Sequence, residues 1–303
     1  MKLLVLNNLS SGYGGDLIYD FARSFAKTGD EVCIRCVDAD SSFTEALADA
    51  STFDAVVASG GDGTHAAVCY LLRNTGTPIL PFPAGTANLL CMNVMSPIEP
   101  FALAQLVREG ECLDFDLGEI VTSEGSHGFS MMAGCGYDAT MMADARRDKK
   151  RWGPAAYFKA AFQNPNPQVA HLKVTVDGVT HEHEGVGVML VNFSKIQFDI
   201  SITPRNLPND GALDVLVLTT QTAWDLLPTA LGAAFDHSGG TLEASNALVY
   251  YRGRDIRVES DPQLLVQYDG EPLEAHTPFT ARVLPAACKI IVSDDGYKLF
   301  TAQ

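Results

Sequence analysis

Two successive strand-and-turn patterns restrict the fold of this chain more than any other feature. The apolar run Ala55–Ala58 is followed by the turn Ser59–Thr64, which holds three glycines, and then by residues 65–72 with helical spacing. A second short apolar strand, residues 78–82, is followed by the turn Pro83–Asn88. Because the carboxyl ends of neighbouring parallel strands meet at one edge of a sheet, we expect the two turns to face one crevice.

Glycine-rich turns at such junctions are suited to binding phosphate groups. Glycine lets the backbone approach a ligand closely, and the helix that follows offers free N–H groups and the positive end of its dipole. Asp62 lies inside the first turn. A carboxylate there repels a phosphate unless a divalent cation or a transferable proton lies between them. The simpler interpretation is a turn in which Asp62 hydrogen-bonds its own backbone.

The pairing of Gly60–Thr64 with Pro83–Asn88 resembles the catalytic domain of the diacylglycerol kinase and sphingosine kinase family, in its bacterial lipid kinase branch. The five-residue glycine turn alone also occurs in NAD kinases, and a close variant occurs in phosphofructokinases. The first turn of the chain, which starts at Asn8, fits the family pattern Asn-Pro-x-Ser-Gly-x-Gly except that Leu9 replaces the proline. A simple turn between strand and helix remains the alternative there.

The resemblance implies that ATP binds to these turns. Asp38 follows the predicted strand Glu31–Val37 and could hydrogen-bond a ribose hydroxyl group, although capping the next helix is an equal alternative. The predicted nucleotide-binding residues are Asn8, Ser11, Gly12, Asp38, Gly60, Gly61, Asp62, Gly63, Thr64, Gly85, Thr86 and Asn88.

Beyond residue 117 the pattern changes to short strands separated by turn signals, which predicts an antiparallel β domain. Together with the resemblance, this predicts an N-terminal Rossmann-like α/β domain, residues 1–117, and a C-terminal β-sandwich of residues 118–289. The resemblance implies that a segment at about 290–303 returns to the first domain and that the β-sandwich binds the lipid. The resemblance places the active site in the cleft between the domains. Glycines 134 and 136 are expected to form a turn that joins a strand to a helix.

Two later motifs bear on the chemistry. By resemblance, Asp269-Gly270-Glu271 supplies Asp269 as the general base and Glu271 as its assistant, whereas a hairpin turn is the simpler interpretation. The resemblance also implies a structural Mg²⁺ held by the Asp210 side chain and the carbonyl groups of Leu207 and Ala212. These are oxygen ligands, which a hard cation prefers. Asp62 would hold a catalytic Mg²⁺ or help to orient the acceptor.

The implied reaction is transfer of the γ-phosphate of ATP to the hydroxyl group of a diacylglycerol-like or sphingoid lipid. Three residues depart from the family pattern: Ala66 and Ala67 replace its Asn-Glu pair, and Leu89 replaces an Asp found in many members. These changes remove polar groups, so a nucleotide- or lipid-binding protein that has lost catalysis is one alternative. An NAD kinase-like phosphotransferase is the other.

Charge and hydropathy restrict the partners. The chain has 303 residues and a formal net charge of −16, which argues against a broad basic face for nucleic acid. No apolar stretch reaches the roughly 18 residues of a membrane span, so we expect a cytoplasmic protein. The basic run Arg146–Trp152 is either a solvated helix face or a transient contact with anionic membrane lipids. A homodimer is compatible with the sequence.

Overall fold

The computed structural model describes residues 1–11, 16–136, 167–193, 195–196, 200–201, 207–220 and 248–301. The chain forms two compact units. Unit 1 comprises Met1–Leu117, Pro208–Asp210 and Pro285–Gln303, and unit 2 comprises Gly118–Leu207 and Gly211–Leu284. Within the described ranges, no helix has the length and apolar character needed to cross a membrane.

Unit 1 is an α/β unit. Its strands are β1 (Lys2–Asn8), β2 (Glu31–Val37), β3 (Ala55–Gly60), β4 (Pro78–Pro83), the first part of β5 (Glu111–Thr122) and the last part of β18 (Phe279–Val292). Its described helices are α1 (Leu17–Phe25), α2 (Phe43–Ala46), α3 (Asp62–Leu71), α4 (Leu89–Asn93), α5 (Pro100–Glu109) and α6 (Asp294–Thr301), with a 3-10 turn at Ala50–Thr52.

The sheet of unit 1 is parallel in the order β2-β1-β3-β4, and Lys289 and Ile290 of β18 pair in parallel with β4. Residues 3–6 of β1 and 55–58 of β3 are almost completely buried, which explains why both strands are continuous apolar runs. Phe21 of α1 packs edge-on against Phe82 of β4, with ring centroids 5.5 Å apart. Helices and sheet thus share one apolar core.

Unit 2 is an antiparallel β-sandwich. Its strands are the remainder of β5, β6 (Gly125–Phe129), β7 (Met132–Gly136), β8 (Ala170–Val176), β9 (Val179–Gly185), β10 (Gly187–Val191), β11 (Lys195–Ile196), β12 (Ile200–Ser201), β13 (Leu213–Leu218), β14 (Leu248–Gly253), β15 (Asp255–Asp261), β16 (Leu265–Tyr268), β17 (Glu271–His276) and the first part of β18.

The two sheets of unit 2 have the strand orders β18-β15-β8-β9 and β14-β13-β10-β7-β16-β17. Alternate residues of each sheet, such as Val174 and Val258 from one and Leu190 and Val215 from the other, are fully buried in a single core. The predicted combination of a Rossmann-like α/β domain with an antiparallel β-sandwich is therefore confirmed.

Two local predictions were wrong. Gly134 and Gly136 do not form a turn, because both lie within β7, which pairs with β10 on one side and β16 on the other. A Cβ atom on Gly134 would lie 2.3 Å from the carbonyl oxygen of Val188, so this glycine permits a close approach of two strands. Helix α3 also begins at Asp62, before the end of the predicted turn.

We expect Gly134→Ala to destabilise the protein by about 3 kcal/mol, the upper end for overpacking, because the contact is with backbone that cannot rotate away. Urea unfolding measures this. Gly178→Ala is the matched control: its added Cβ meets nothing within 4 Å, so only the positive φ of +85° opposes the alanine, at a cost of about 1 kcal/mol. Equal losses in the two variants would show that the contact with Val188 does not matter.

Candidate active site

The two glycine turns of unit 1 are in direct contact. In the parallel pairing of β3 with β4, Gly60 lies opposite Pro83, and the N–H of Ala84 donates to the carbonyl oxygen of Gly60 over 3.1 Å. A Cβ atom on Gly85 would lie 2.4 Å from the Cα atom of Gly61. The turns can approach this closely because Gly85 has no side chain, whereas a Cβ atom on Gly61 would lie 3.5 Å from Gly85 Cα, an ordinary contact.

The turn after β1 joins the same group. Asn8 Nδ2 donates to Thr64 Oγ1 over 2.9 Å, and Ser11 Oγ lies 3.2 Å from the same oxygen. The N–H of Gly61 donates to Ser11 Oγ over 3.3 Å. The structure therefore brings residues from three predicted nucleotide-binding turns together at the carboxyl ends of β1, β3 and β4.

Asn88 closes the second turn. Its side chain accepts a hydrogen bond from the N–H of Gly85 at 2.8 Å and donates one to the carbonyl oxygen of Gly85 at 2.9 Å. Asn88 has φ of +51°, a left-handed conformation that asparagine tolerates better than most residues. Thr86 is exposed at the tip of this turn, so its side chain is accessible to a ligand.

Asp62 links the two turns. Its Oδ1 atom accepts a hydrogen bond from the N–H of Leu90, in the first turn of α4, over 3.0 Å. Within the described part of the chain, the other carboxylate oxygen has no hydrogen-bond partner. Mg²⁺ prefers oxygen ligands such as a half-buried carboxylate, so Asp62 fits the predicted role of metal ligand.

His65 belongs to the site region but was missed from the sequence. It is completely buried in α3, and its Nε2 atom lies 3.1 Å from the carbonyl oxygen of Phe82 at the end of β4. Burial lowers the pKa of His65, so the imidazole is neutral. Its position directly after Thr64 was the only sequence signal for this link between α3 and β4.

Asp38 has a local role in the structure. Its Oδ1 atom accepts hydrogen bonds from Ser41 Oγ at 2.7 Å and from the N–H of Asp40 at 3.2 Å. The hydrogen bond from Ser41 lowers the pKa of Asp38, with the backbone contributing in the same direction. This geometry is that of a turn-forming Asp, and the ribose contact stays a prediction. Gly12 lies outside the described residues.

In unit 2, the carboxylate of Asp269 is surrounded by donors from the segment Ser130–Met132. Oδ2 accepts hydrogen bonds from the N–H of Ser130 at 2.7 Å and from its Oγ at 3.1 Å. Oδ1 accepts from the N–H groups of Met131 and Met132, both at 2.9 Å. Three successive N–H groups that point at one anion form a backbone nest.

The acidity of Asp269 reflects two opposing effects. Burial raises its pKa to about 6, while the hydrogen bonds from Ser130, Met132 and Met131 act in the opposite direction because they stabilise the charged form. An Asp with this pKa is ionised at neutral pH and can still accept a proton close to that pH. The group is thus suited to general base catalysis.

The hairpin around Asp269 is ordered by its neighbours. Gln267 Oε1 accepts a hydrogen bond from the N–H of Gly270 at 3.2 Å, and the ring of His127 stacks on Tyr268 with centroids 5.0 Å apart. Glu271 begins β17 and pairs with Tyr268 across the turn. The Asp-Gly-Glu motif therefore forms the hairpin turn of the simpler interpretation, and the same residues carry the two carboxylates of the functional one.

The predicted structural Mg²⁺ site and the predicted membrane contact both stay open. Leu207, Asp210 and Ala212 precede β13, and Gly211 between them has φ of +69°. In the ranges that the structure describes, no group of three or more His, Cys, Asp or Glu side chains could hold a metal ion. The predicted Mg²⁺ site relies mostly on carbonyl groups and is not of that type. The basic run Arg146–Trp152 lies outside the described residues.

Family comparisons cover both units. The diacylglycerol kinase catalytic domain model matches residues 2–120, and the YegS C-terminal NAD kinase beta sandwich-like domain model matches residues 131–292. The chain belongs to the YegS-like and diacylglycerol kinase family. It is therefore a kinase, and kinases of this family use ATP.

Two relatives are similar to most of this chain. A "Probable lipid kinase YegS-like" of Pseudomonas aeruginosa is 29% identical over 95% of this chain and 96% of its own length. An uncharacterized protein of Synechocystis is 26% identical over 78% of this chain, which spans only 54% of that relative.

Two solved structures share the fold. A diacylglycerol kinase from Bacillus anthracis has a TM-score of 0.76 at 20% identity and covers 97% of each chain. An NAD kinase from Archaeoglobus fulgidus, solved with ATP, has a TM-score of 0.54 at 13% identity and covers 100% of this chain and 98% of its own. The fold is thus common to diacylglycerol kinases and NAD kinases.

We expect Gly85→Ala to weaken ATP binding at least tenfold, which corresponds to about 1.4 kcal/mol. The added Cβ would collide with Gly61 and force the two turns apart. Isothermal titration calorimetry with ATP measures the effect. Gly76→Ala, where an added Cβ meets nothing within 4 Å, is the control and should bind ATP like wild type. Unchanged affinity in Gly85→Ala would show that the contact between the turns is not needed for nucleotide binding.

Proposed function

We propose that this kinase transfers the γ-phosphoryl group of ATP to a hydroxyl group of a lipid, with unit 1 binding the nucleotide and unit 2 the acceptor. The observation that supports this most directly is the convergence of the turns at Asn8, Gly60–Thr64 and Gly85–Asn88 on one edge of a parallel sheet. The relatives named as lipid kinases support the choice of acceptor. The acceptor lipid is diacylglycerol-like or sphingoid.

The nucleotide is held mainly by backbone groups. The N–H groups at the start of α3 would donate to the phosphate oxygens, and the glycine backbone of the turns would let them approach closely. Ser11 and Thr86 add hydroxyl groups to this surface, and the buried Thr64 contacts Asn8 and Ser11 through its Oγ1 atom. Phosphoryl transfer requires little covalent chemistry from the protein, so positioning and charge neutralisation are the main tasks of these residues.

Bound Mg²⁺ would neutralise the charge that develops on the transferred group. Asp62 would hold this cation through the carboxylate oxygen that does not bind Leu90. We also assign a structural Mg²⁺ to the Asp210 side chain and the carbonyl groups of Leu207 and Ala212, since all three provide oxygen ligands.

Asp269 acts as the general base in this proposal. It accepts the proton of the lipid hydroxyl group as that oxygen forms a bond to the γ-phosphorus, and the bond from phosphorus to the β,γ-bridging oxygen breaks to release ADP. Glu271, across the hairpin, assists by adding negative charge beside Asp269. The basic run Arg146–Trp152 would contact anionic lipids at the membrane surface. The protein would otherwise remain in the cytoplasm.

The activity is tested by transfer of labelled γ-phosphate from ATP, with Mg²⁺, to detergent-dispersed lipids, with NAD and water as the other acceptors. We expect label in one lipid class and a loss of at least a hundredfold in Asp62→Ala and Asp269→Ala, the lower range for loss of a catalytic acid or base. Arg73→Ala, away from the turns, is a control variant that should retain activity. Gel filtration of the same samples tests for a homodimer.

Two results would contradict the proposal. The shared fold favours an NAD kinase-like phosphotransferase as the second candidate, and label in NAD alone would establish it. Label in no acceptor would favour a binding protein that has lost catalysis. Ala66 is one of the departures from the family pattern that suggest this alternative. It is only 1% exposed, so this position faces the core and not a ligand.

The pH profile provides an independent test of the base. Asp269 must be ionised to accept a proton, so kcat/KM for the lipid should fall about tenfold per pH unit below its raised pKa of about 6 and level off above it. An acid limb centred near the ordinary value of 3.8 would assign the base to a different carboxylate. Measurements in a constant ionic-strength buffer between pH 4.5 and pH 8.5 would decide this.

A further inference from the structure

Four donors from residues 130–132 surround the carboxylate of Asp269 in this structure. An ionised carboxylate offers about four acceptor positions, so a lipid hydroxyl group can bind Asp269 only where one of these donors gives way. Three of these donors are backbone N–H groups. The fourth is the hydroxyl group of Ser130, which reorients by rotation about a single side-chain bond.

The backbone donors are themselves fixed. Asn192 Nδ2 donates to the carbonyl oxygen of Ser130 over 2.9 Å. The N–H groups of Asn192 and Phe193 both donate to the carbonyl oxygen of Met131, over 2.9 Å and 3.2 Å. Ser130 is completely buried, so its backbone cannot turn toward solvent. The hydroxyl group is therefore the adjustable member of the four donors.

We propose that Ser130 is a positioning residue for phosphoryl transfer, whose hydroxyl group orients the carboxylate of Asp269 and helps to stabilise its ionised form. The inference rests on the proposed function of Asp269. A donor to the charged form of an acid lowers the pKa of that acid. Removing the Ser130 hydroxyl group leaves the three N–H donors in place and should raise the pKa of Asp269.

Other titratable groups lie on the elements packed against Asp269. Among the described residues they are His127 on β6, Cys135 on β7, Tyr268 on β16, and Glu271, Glu274 and His276 on β17. All of them are unchanged when Ser130 is replaced, so their effects cancel when a variant is compared with wild type. Because His127 stacks on Tyr268 next to Asp269, the comparison is repeated in a His127→Gln background, where the same shift should persist.

The first test uses stability, which does not depend on catalysis. Between pH 5 and pH 8, Asp269 changes from protonated to ionised in the folded protein, whereas it is ionised throughout this range when unfolded. A raised pKa in the folded state therefore adds stability at low pH that is lost as the pH rises. If the pKa in Ser130→Ala is one unit higher, its unfolding equilibrium constant relative to wild type rises about tenfold from pH 5 to pH 8.

Urea unfolding of Ser130→Ala and wild type at both pH values measures this ratio. Ser130→Cys keeps a weaker donor and should show a smaller rise. Ser260→Ala is the matched control: it removes another hydroxyl group of unit 2, which lies 2.6 Å from Thr277 Oγ1, and its ratio to wild type should not depend on pH. A ratio for Ser130→Ala that is also independent of pH would reduce Ser130 to a packing role and overturn the proposal.

The second test uses the activity profile. We expect the acid limb of kcat/KM for the lipid to move about one pH unit higher in Ser130→Ala, while the Kd for ATP stays at the wild-type value. If the stability ratio rises but the acid limb stays in place, Asp269 is not the base, and the role of Ser130 in the reaction falls with it. If no lipid is phosphorylated, the proposed function fails, and the stability data alone still report the link between Ser130 and Asp269.

Discussion

The parallel pairing of β3 with β4 is the constraint on which the rest of unit 1 depends. Its register places Gly60 opposite Pro83, so that the chain leaves both strands at the same level. The turns then collide unless Gly85 lacks a side chain. Because β1 pairs with β3 on the other side, Asn8 and Ser11 reach Thr64. One register thus assembles three turns.

Helix α4 shows how local structure follows from this contact. It has five residues, which is far too short for a helix that is stable alone. Asp62, from the neighbouring turn, accepts the N–H of Leu90 and so satisfies one donor at the start of α4. The acidic residue that was predicted for catalysis therefore also stabilises the second turn, and loss of activity in a variant of Asp62 reports both effects unless ATP binding is measured too.

The predictable part of the fold is the part encoded by local periodicity. Buried parallel strands are continuous apolar runs, so β3 and β4 were found within two residues of their ends. The start of α3 was missed because the glycines of its first turn resemble an irregular loop. Gly134 was misread for a related reason: glycine signals a turn in sequence, but here it is required because β7 and β10 approach closely.

Contacts between distant residues could not be predicted in the same way. Asp269 was identified by its resemblance to a family motif, but Ser130 lies 139 positions earlier and has no periodic or compositional signal. Their contact arises because β7 pairs with β16, which aligns the end of β6 with the hairpin after β16. The same is true of His65, whose partner Phe82 is defined only once α3 packs on the sheet.

Both candidate carboxylates are held by backbone N–H groups, and this choice of partner has a chemical consequence. Asp62 binds the N-terminal turn of α4, and Asp269 lies in the nest of residues 130–132. The chain has 37 acidic and 21 basic side chains, so cations are scarce as partners. An Arg or Lys partner would neutralise a carboxylate with a full positive charge and lower its basicity. Backbone dipoles orient the carboxylate with less effect on its charge, which leaves Asp62 suited to a cation and Asp269 suited to a proton.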